Sequence, residues 1–387
     1  MGKQPNIYMD YASTAPTVPQ VVEAMAPYWE HTFGNSDSQH RFGRDAANAL
    51  EKARSTIADI LSCHPVELVF TGSGTESDNL ALRGTALAAR QNGTGNHIVT
   101  TTIEHRAVEA TVEQLGDFFQ FDITRVPVNE FGQVSPEDIA RAIRPDTILV
   151  SVMAANNEVG TVQPIFRIGQ VCRQHGVLFH TDAVQAAGKL PLEVADCNID
   201  LLAISAHKIY GPKGVGLLYI RRRTPFVPPI TGGHQERGRY PGTVNVAGAV
   251  GLATAYEIAE TIRVDECRRL RALRDQLIQN VLSTIPDSRL TGHPSQRLCN
   301  IASFAFRGIE GEDLVVRLDQ TGVSASTGAA CSSGEPEASA VLDAMGIPQE
   351  WGTGSLRLSL GRFTTEDDIA RVVGLLPDIV AQLRSHS

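Results

Sequence analysis

Lys208 is one of five lysines in the 387-residue chain. It follows an apolar run, Leu201 to Ile204, that reads as a buried strand. The run delivers Ser205, His207 and Lys208 into a turn broken by Gly211, Pro212 and Gly214. An amine at the mouth of a buried strand is poorly solvated, so its pKa falls and the neutral form can attack a carbonyl. A lysine just past a strand end is otherwise an ordinary surface residue. A second signal decides between the two. Val177 to Phe179 is another apolar strand, and it leads into His180-Thr181-Asp182-Ala183-Val184-Gln185. An amine and a carboxylate at the ends of two buried strands are what a pyridoxal phosphate site requires: a Schiff-base nitrogen and an anion facing the pyridinium nitrogen.

Other constellations fall at similar positions. Leu68 to Thr71 reads as a strand, and Gly72-Ser73-Gly74-Thr75 then opens a helix whose amides and hydroxyls could hold a phosphate. The turn completes neither Gly-x-Gly-x-x-Gly nor a P-loop, so it lends a mononucleotide little support. His105 sits between a strand and a helix, where it could stack on an aromatic ring, shuttle a proton or cap the helix. Asn156-Asn157-Glu158 follows an apolar strand and must be exposed or hydrogen-bonded there. Ser355-Leu356-Arg357-Leu358 alternates polar with apolar, placing Arg357 on one strand face, where its planar fork could take a carboxylate.

The segment from Ser324 to Gly334 is almost entirely Ser, Gly, Ala and Thr around Cys331, with no periodic apolar face. It reads as a mobile loop that displays an accessible thiol. A free thiol of pKa about 8.5 is a minority thiolate at neutral pH. Activating it fully costs about 2 kcal/mol, within reach of a nearby cation or helix N-terminus. The other cysteines, at 63, 172, 197, 267 and 299, are dispersed with no Cys-x-x-Cys pair, which argues against zinc and against a disulfide framework. Cys172 and Cys299 read as small packing hydrophobes. The polar, glycine-rich run from Gly232 to Asn245 is too long and charged for a buried turn, and suits a functional or interfacial loop.

Apolar runs alternating with helical patterns between residues 65 and 220 argue a mostly parallel sheet covered by helices, with ligands at the carboxyl ends of the strands. Beyond residue 262 the texture becomes α+β, starting with an Arg-rich helix expected over Asp265 to Leu282. The division read here is a large domain over 16–262 and a small domain formed by 1–15 and 263–387. Net charge of −9 and pI near 5.7 give no reason to expect nucleic acid. The chain shows neither a membrane-length apolar stretch nor the apolar core of a signal peptide, so a cytoplasmic protein is the expectation.

Together these residues resemble the cysteine desulfurases of the NifS/IscS-like group, in the class-V aminotransferase family of fold-type I pyridoxal phosphate enzymes. The likeness runs from Tyr8-Met9-Asp10-Tyr11-Ala12-Ser13-Thr14 through Phe33-Gly34-Asn35-Ser36 to Leu358-Ser359-Leu360-Gly361-Arg362. Its most specific pieces are Asn156-Asn157-Glu158-Val159-Gly160, the Ser-x-His-Lys-x-x-Gly-Pro-Lys-Gly run at 205–214, and the small-residue loop with Cys331. The resemblance implies an α/β fold-type I transferase with a seven-stranded, mostly parallel sheet and a smaller α+β C-terminal domain.

It also implies roles. Lys208 would carry the cofactor and act as base, Asp182 would face the ring nitrogen, Asn157 and Gln185 the ring hydroxyl, and His105 would stack on the ring. Gly74, Thr75, Ser205 and His207 would hold the phosphate, joined by Thr243 from the partner subunit of a homodimer. Asn35 and Arg357 would bind the carboxylate of L-cysteine. Cys331 would accept the sulfur as a persulfide, pass it to acceptor proteins such as an iron–sulfur scaffold, and serve as a ligand to a nascent cluster, with no metal at the cofactor itself.

Two departures stand out. Tyr240 occupies the place of a usual arginine in Gln235-Glu236-Arg237-Gly238-Arg239-Tyr240, which makes Arg239 the candidate to supply the missing cation. The phosphate turn has Gly74 where relatives often carry alanine. A C–S lyase that releases sulfur without a protein persulfide is the alternative enzyme, and a non-catalytic scaffold of the same fold the alternative outside catalysis.

Overall fold

A computed structural model describes residues 6–327 and 339–386; Cys331 lies outside the described residues. After a short β1 (Ile7–Tyr8), the strands β2 (Leu68–Thr71), β3 (His97–Thr101), β4 (Asp122–Val126), β5 (Thr147–Ser151), β6 (Leu178–Asp182), β7 (Leu201–Ser205) and β8 (Gly216–Ile220) build one seven-stranded sheet. Their order is β2-β8-β7-β6-β5-β3-β4. Pairings from β7 through β4 are parallel, and β8 runs antiparallel to both its neighbours. Strands β2, β3, β5, β7 and β8 are buried at every position. Covered on both faces, they read in the sequence as continuous apolar runs rather than alternating ones.

A second, antiparallel sheet has the order β12-β10-β9, formed by β9 (Ser288–Leu290), β10 (Ile301–Phe306) and β12 (Ser355–Ser359), while β11 (Val323–Ser324) pairs in parallel with β1. The two largest apolar clusters follow this split. One draws on residues from Tyr11 to Ala259 under the large sheet, the other on Ile7, Met9 and residues from Leu270 to Val380.

The helix expected from Asp265 starts much earlier, at Val246, and runs to Thr284. Its first turns are rich in Ala and Gly and buried on several sides, so they lack the one-sided periodicity that marks a helix in sequence. Asn245 caps it by accepting from Gly248 N at 2.9 Å. The boundary read at residue 262 therefore falls inside one continuous helix.

The loop from Gly232 to Asn245 is anchored rather than free. Arg54, on the helix Arg41–Leu61, donates to both Glu236 carboxylate oxygens at 2.9 and 2.7 Å, and Phe70 N donates to the same carboxylate at 2.9 Å. Both side chains are buried, and Glu236 and Arg237 hold positive φ values of 48° and 59° to make the turn. Removing one partner strands the other's charge in a desolvated site. Glu236→Ala should cost about 3–5 kcal/mol, read as a fall in the urea midpoint, whereas the exposed pair Arg268–Asp265 should be removable at no more than about 1 kcal/mol.

Candidate active site

The carboxyl ends of β5, β6 and β7 open on a cavity of about 720 Å³. Lys208 enters it from the single turn that follows β7. Its Nζ donates to the carbonyls of Ala12 and Ser13 at 2.6 and 2.7 Å, so the segment after β1 forms the amine's seat. Burial lowers the ammonium to about 8, and the cations Arg357 and Lys189 push the same way against Asp182 and Asp10.

Asp182 closes β6, which lies beside β7 with Asp182 paired to Ala203. Its Oδ1 accepts from Val184 N at 2.9 Å. Burial raises its carboxyl above the ordinary range, opposed by His105, the Val184 amide and Lys208. Beneath it sits Asp78, a buried carboxyl that sequence reading passed over. Burial and the neighbouring Asp182 charge hold Asp78 well above the usual carboxylate range. His180 Nε2 approaches Asp78 at 3.4 Å and its Nδ1 shares a 2.8 Å hydrogen bond with Ser151. Burial pushes His180 down to about 3, so its imidazole is neutral and the contact is not an ion pair. Oxygen or nitrogen atoms of Asp78, His105 and Asp182 lie within 4.8 Å of one another. His105 also accepts from Ala107 N at 3.1 Å, so it caps the helix Arg106–Phe119 and lines the cavity at once.

The Gly72–Thr75 turn lines the opposite wall, with Thr75, Ser205 and His207 facing the same space. Ser73 caps the helix Gly74–Asn92 by accepting from Glu76 N at 3.1 Å. His207 is tied to Thr14 at 3.1 Å and lowered to about 4 by burial and by Lys208 and Lys213. A Cβ on Gly74 would stand 2.7 Å from Val184 Cγ2 and 3.3 Å from Ser205 Cβ. Val184 thus fills the volume that an alanine methyl would take.

These residues fit pyridoxal phosphate on observations internal to the cavity. Gln185 donates to the Ala12 carbonyl at 2.9 Å while its Oε1 is buried with no partner, an acceptor left for a hydroxyl on a ligand. A helix N-terminus faces the cavity at one end and a depressed amine at the other.

Arg357, on β12, reaches the cavity from the second sheet. It is buried, not exposed, and most of its fork is engaged. One arm donates to the Asn157 carbonyl at 2.9 Å, the other to Asp10 and Ser13 at 2.8 and 2.7 Å, and Nε is buried without a partner. Asn157 lines the cavity; Asn156 instead bonds to Ile103 O and to the amides of Glu158 and Val159, shaping the turn.

Two expected residues are not brought there within one chain. Asn35 is exposed, with its Oδ1 accepting from Asp37 N at 3.0 Å, and does not line the cavity. Thr243 is exposed beside Gly72 and Tyr240 at a separate cavity of about 190 Å³. Arg239 does not supply the cation missing at Tyr240. Its guanidinium donates to the Val66 carbonyl at 2.9 Å, while Tyr240 donates to Glu76 at 2.6 Å. Ser326, bridged to Arg357 through the backbone, lines the cavity; Cys331 follows beyond the described residues.

Sequence reading missed Asp10, Ser13, Asp78 and the rim cation Lys213 as site residues. A polar cluster directly after β1 and an acid one turn into the helix after Gly74 were the available signals.

The profile of the family described as Aminotransferase class-V matches residues 7–372. The chain belongs to that family. The enzyme is 48% identical over 382 residues to the cysteine desulfurase IscS of Methanosarcina thermophila, covering 98% of this chain and 93% of that one. It is 44% identical over 384 residues to the cysteine desulfurase IscS of Dictyoglomus turgidum, covering 98% and 96%. A solved structure titled NifS-like protein superimposes with a TM-score of 0.91 at 35% identity, over 98% of this chain and all of that one.

Because Val184 already occupies the space, Gly74→Ala should cost about 1–3 kcal/mol through overpacking. Gly74→Ala with Val184→Ala should recover most of it in thermal melts.

Proposed function

We propose that the protein is a pyridoxal phosphate-dependent cysteine desulfurase that converts L-cysteine to L-alanine and carries the sulfur away as a persulfide on Cys331. The observation that supports this reading most is that Lys208, an amine with a depressed pKa, and the buried Asp182 face one cavity from adjacent strand ends. In this reading Lys208 bonds the cofactor, Asp182 faces its ring nitrogen, Gln185 and Asn157 meet its hydroxyl, and His105 lies against the ring. Gly74, Thr75, Ser205 and His207 take the phosphate, with Thr243 supplied by the second subunit of a homodimer.

When bound, the cofactor supplies an electron sink for the pair left on the substrate α-carbon once its proton is removed. The chain's own groups do the rest. Lys208 Nζ takes that proton; an amine near pH 8 keeps a usable neutral fraction at physiological pH. A cationic ring nitrogen opposite Asp182 would favour its charged form, reversing the effect of burial. Arg357 receives the substrate carboxylate by exchanging its contacts to Asp10 and Ser13 for it. Asn35 would donate from its Nδ2, which the bond that its Oδ1 accepts from Asp37 N does not engage. The Cys331 thiolate attacks the substrate sulfur: an S–S bond forms, the Cβ–S bond breaks, the proton of the substrate thiol passes to solvent, and the electron pair stays with the carbon skeleton, which takes up protons at Cβ and Cα and leaves as alanine.

The reading further includes a cytoplasmic enzyme whose persulfide feeds acceptor proteins such as an iron–sulfur scaffold, where Cys331 would also meet the nascent cluster. Among the described residues no helix is long and apolar enough to cross a membrane.

Cys331→Ser should keep the yellow colour of the bound cofactor and lose alanine formation from cysteine by at least about a hundredfold; undiminished turnover would make the enzyme a lyase. Cofactor-free protein should take up pyridoxal phosphate faster as pH rises, levelling off above about 8, because only neutral Lys208 attacks the carbonyl. Stopped-flow absorbance reads this, and an inflexion near the free-lysine value of about 10.4 would refute the buried-amine account.

A further inference from the structure

A second pair of reactive groups lies outside the cofactor cavity. Cys267 is on the helix Val246–Thr284 and Cys299 lies just before β10, and their sulfurs are 2.9 Å apart with the Cys299 thiol donating. Cys299 packs in the second apolar cluster, as the sequence predicts, and also has a sulfur partner. Cys267 is half-buried and Cys299 buried. The Cys267 thiol lies 3.5 Å from the Lys189 carbonyl. Both sulfurs and Lys189 border a cavity of about 20 Å³, room for roughly one small molecule the size of water.

The two sulfurs are unequal. The hydrogen bond from Cys299 lowers the Cys267 thiol against the opposing effect of burial, and Lys189 helps. Donating that bond raises Cys299, and burial adds to it. The other described cysteines offer nothing similar: burial pushes Cys63 and Cys172 up to about 12 and raises Cys197. A partly accessible thiol with thiolate character beside a second thiol is the arrangement that peroxides select.

We propose that Cys267 and Cys299 form a redox-active dithiol, distinct from the catalytic centre, that hydroperoxides oxidise to a disulfide tying the long helix to the start of β10. Cys267 is the attacking sulfur. Its thiolate attacks the distal peroxide oxygen: an S–O bond forms, the O–O bond breaks, and the other oxygen leaves and takes up a proton as water or an alcohol. Cys299 sulfur then attacks Cys267 sulfur, and the hydroxyl leaves with the Cys299 proton as water. Two thiols lose two electrons to one peroxide. The sulfurs need only close from 2.9 Å to about 2.05 Å. The bond would sit behind the turn at Lys189, whose neighbour Gly188 borders the same small cavity as Lys208. None of this depends on the desulfurase reading.

The test treats the holoenzyme with an equimolar amount of hydrogen peroxide, alkylates the remaining thiols and maps peptides by mass spectrometry without reduction. A Cys267–Cys299 cross-link that has lost two hydrogens and reverts with dithiothreitol is expected, with Cys63 and Cys172 still alkylated. In Cys299→Ser the sulfenic acid on Cys267 should persist, giving at least about tenfold more dimedone adduct than the wild type. Equal alkylation of Cys267 before and after peroxide, or a cross-link from Cys267 to any other cysteine, would overturn the proposal. The wild-type cross-link requires no variant to fold.

Discussion

Charge held out of water at the carboxyl ends of β6 and β7 is the constraint on which this structure depends. Asp182 is buried and Lys208 half-buried, and neither is left to balance the other alone. The ammonium rests on the carbonyls of Ala12 and Ser13, and the same Ala12 carbonyl holds Gln185 in place. Unpaired polar groups at this depth cost several kcal/mol in the limit. The irregular backbone after β1 therefore works as a set of fixed acceptors, not as a connector. Arg357 extends the arrangement by clasping Asp10 and Ser13 from the second sheet.

A second layer sets how much negative charge the floor carries. Two carboxyls side by side in a desolvated site cannot both ionise without a large penalty. Burial and its neighbour's charge raise the Asp78 carboxyl well above the usual carboxylate range, and neutral His180 beside it, held by Ser151, adds no cation. The cavity thus sets Asp182 beside a carboxyl that resists ionisation and leaves the depressed amine bonded to carbonyls instead of a carboxylate.

The strands were legible because they are buried on both faces. Leu68–Thr71 appears where its apolar run places it, and the run read from Leu201 to Ile204 becomes the strand Leu201–Ser205. Lys208 and Asp182 were legible because each is a lone charge directly after such a run. What escaped depended on partners distant in sequence. Nothing local to Arg357 announces Asp10, and nothing near Cys299 announces Cys267. Asp78 hides in a helix start full of polar residues, and only the fold reveals that its side faces inward. The early start of the long helix escaped for the opposite reason, since Val246 to Ala259 is buried on too many sides to show a period. Arg239 misled because adjacency in sequence does not fix direction, and its side chain bonds to Val66 instead of standing in at Tyr240.

The clasp between Asp10 and Arg357 joins positions 347 residues apart in sequence. During synthesis the N-terminal half of this contact leaves the ribosome first and waits until Arg357 has been translated. Lys208 and the large sheet can assemble in the interval, but the arginine that completes their surroundings cannot yet be present. Contacts of such long sequence separation form late because chain entropy must be spent before they repay it. Maturation of the site is thereby coupled to synthesis as far as Arg357, so that a product terminated before it would contain the amine without the guanidinium that borders the same cavity.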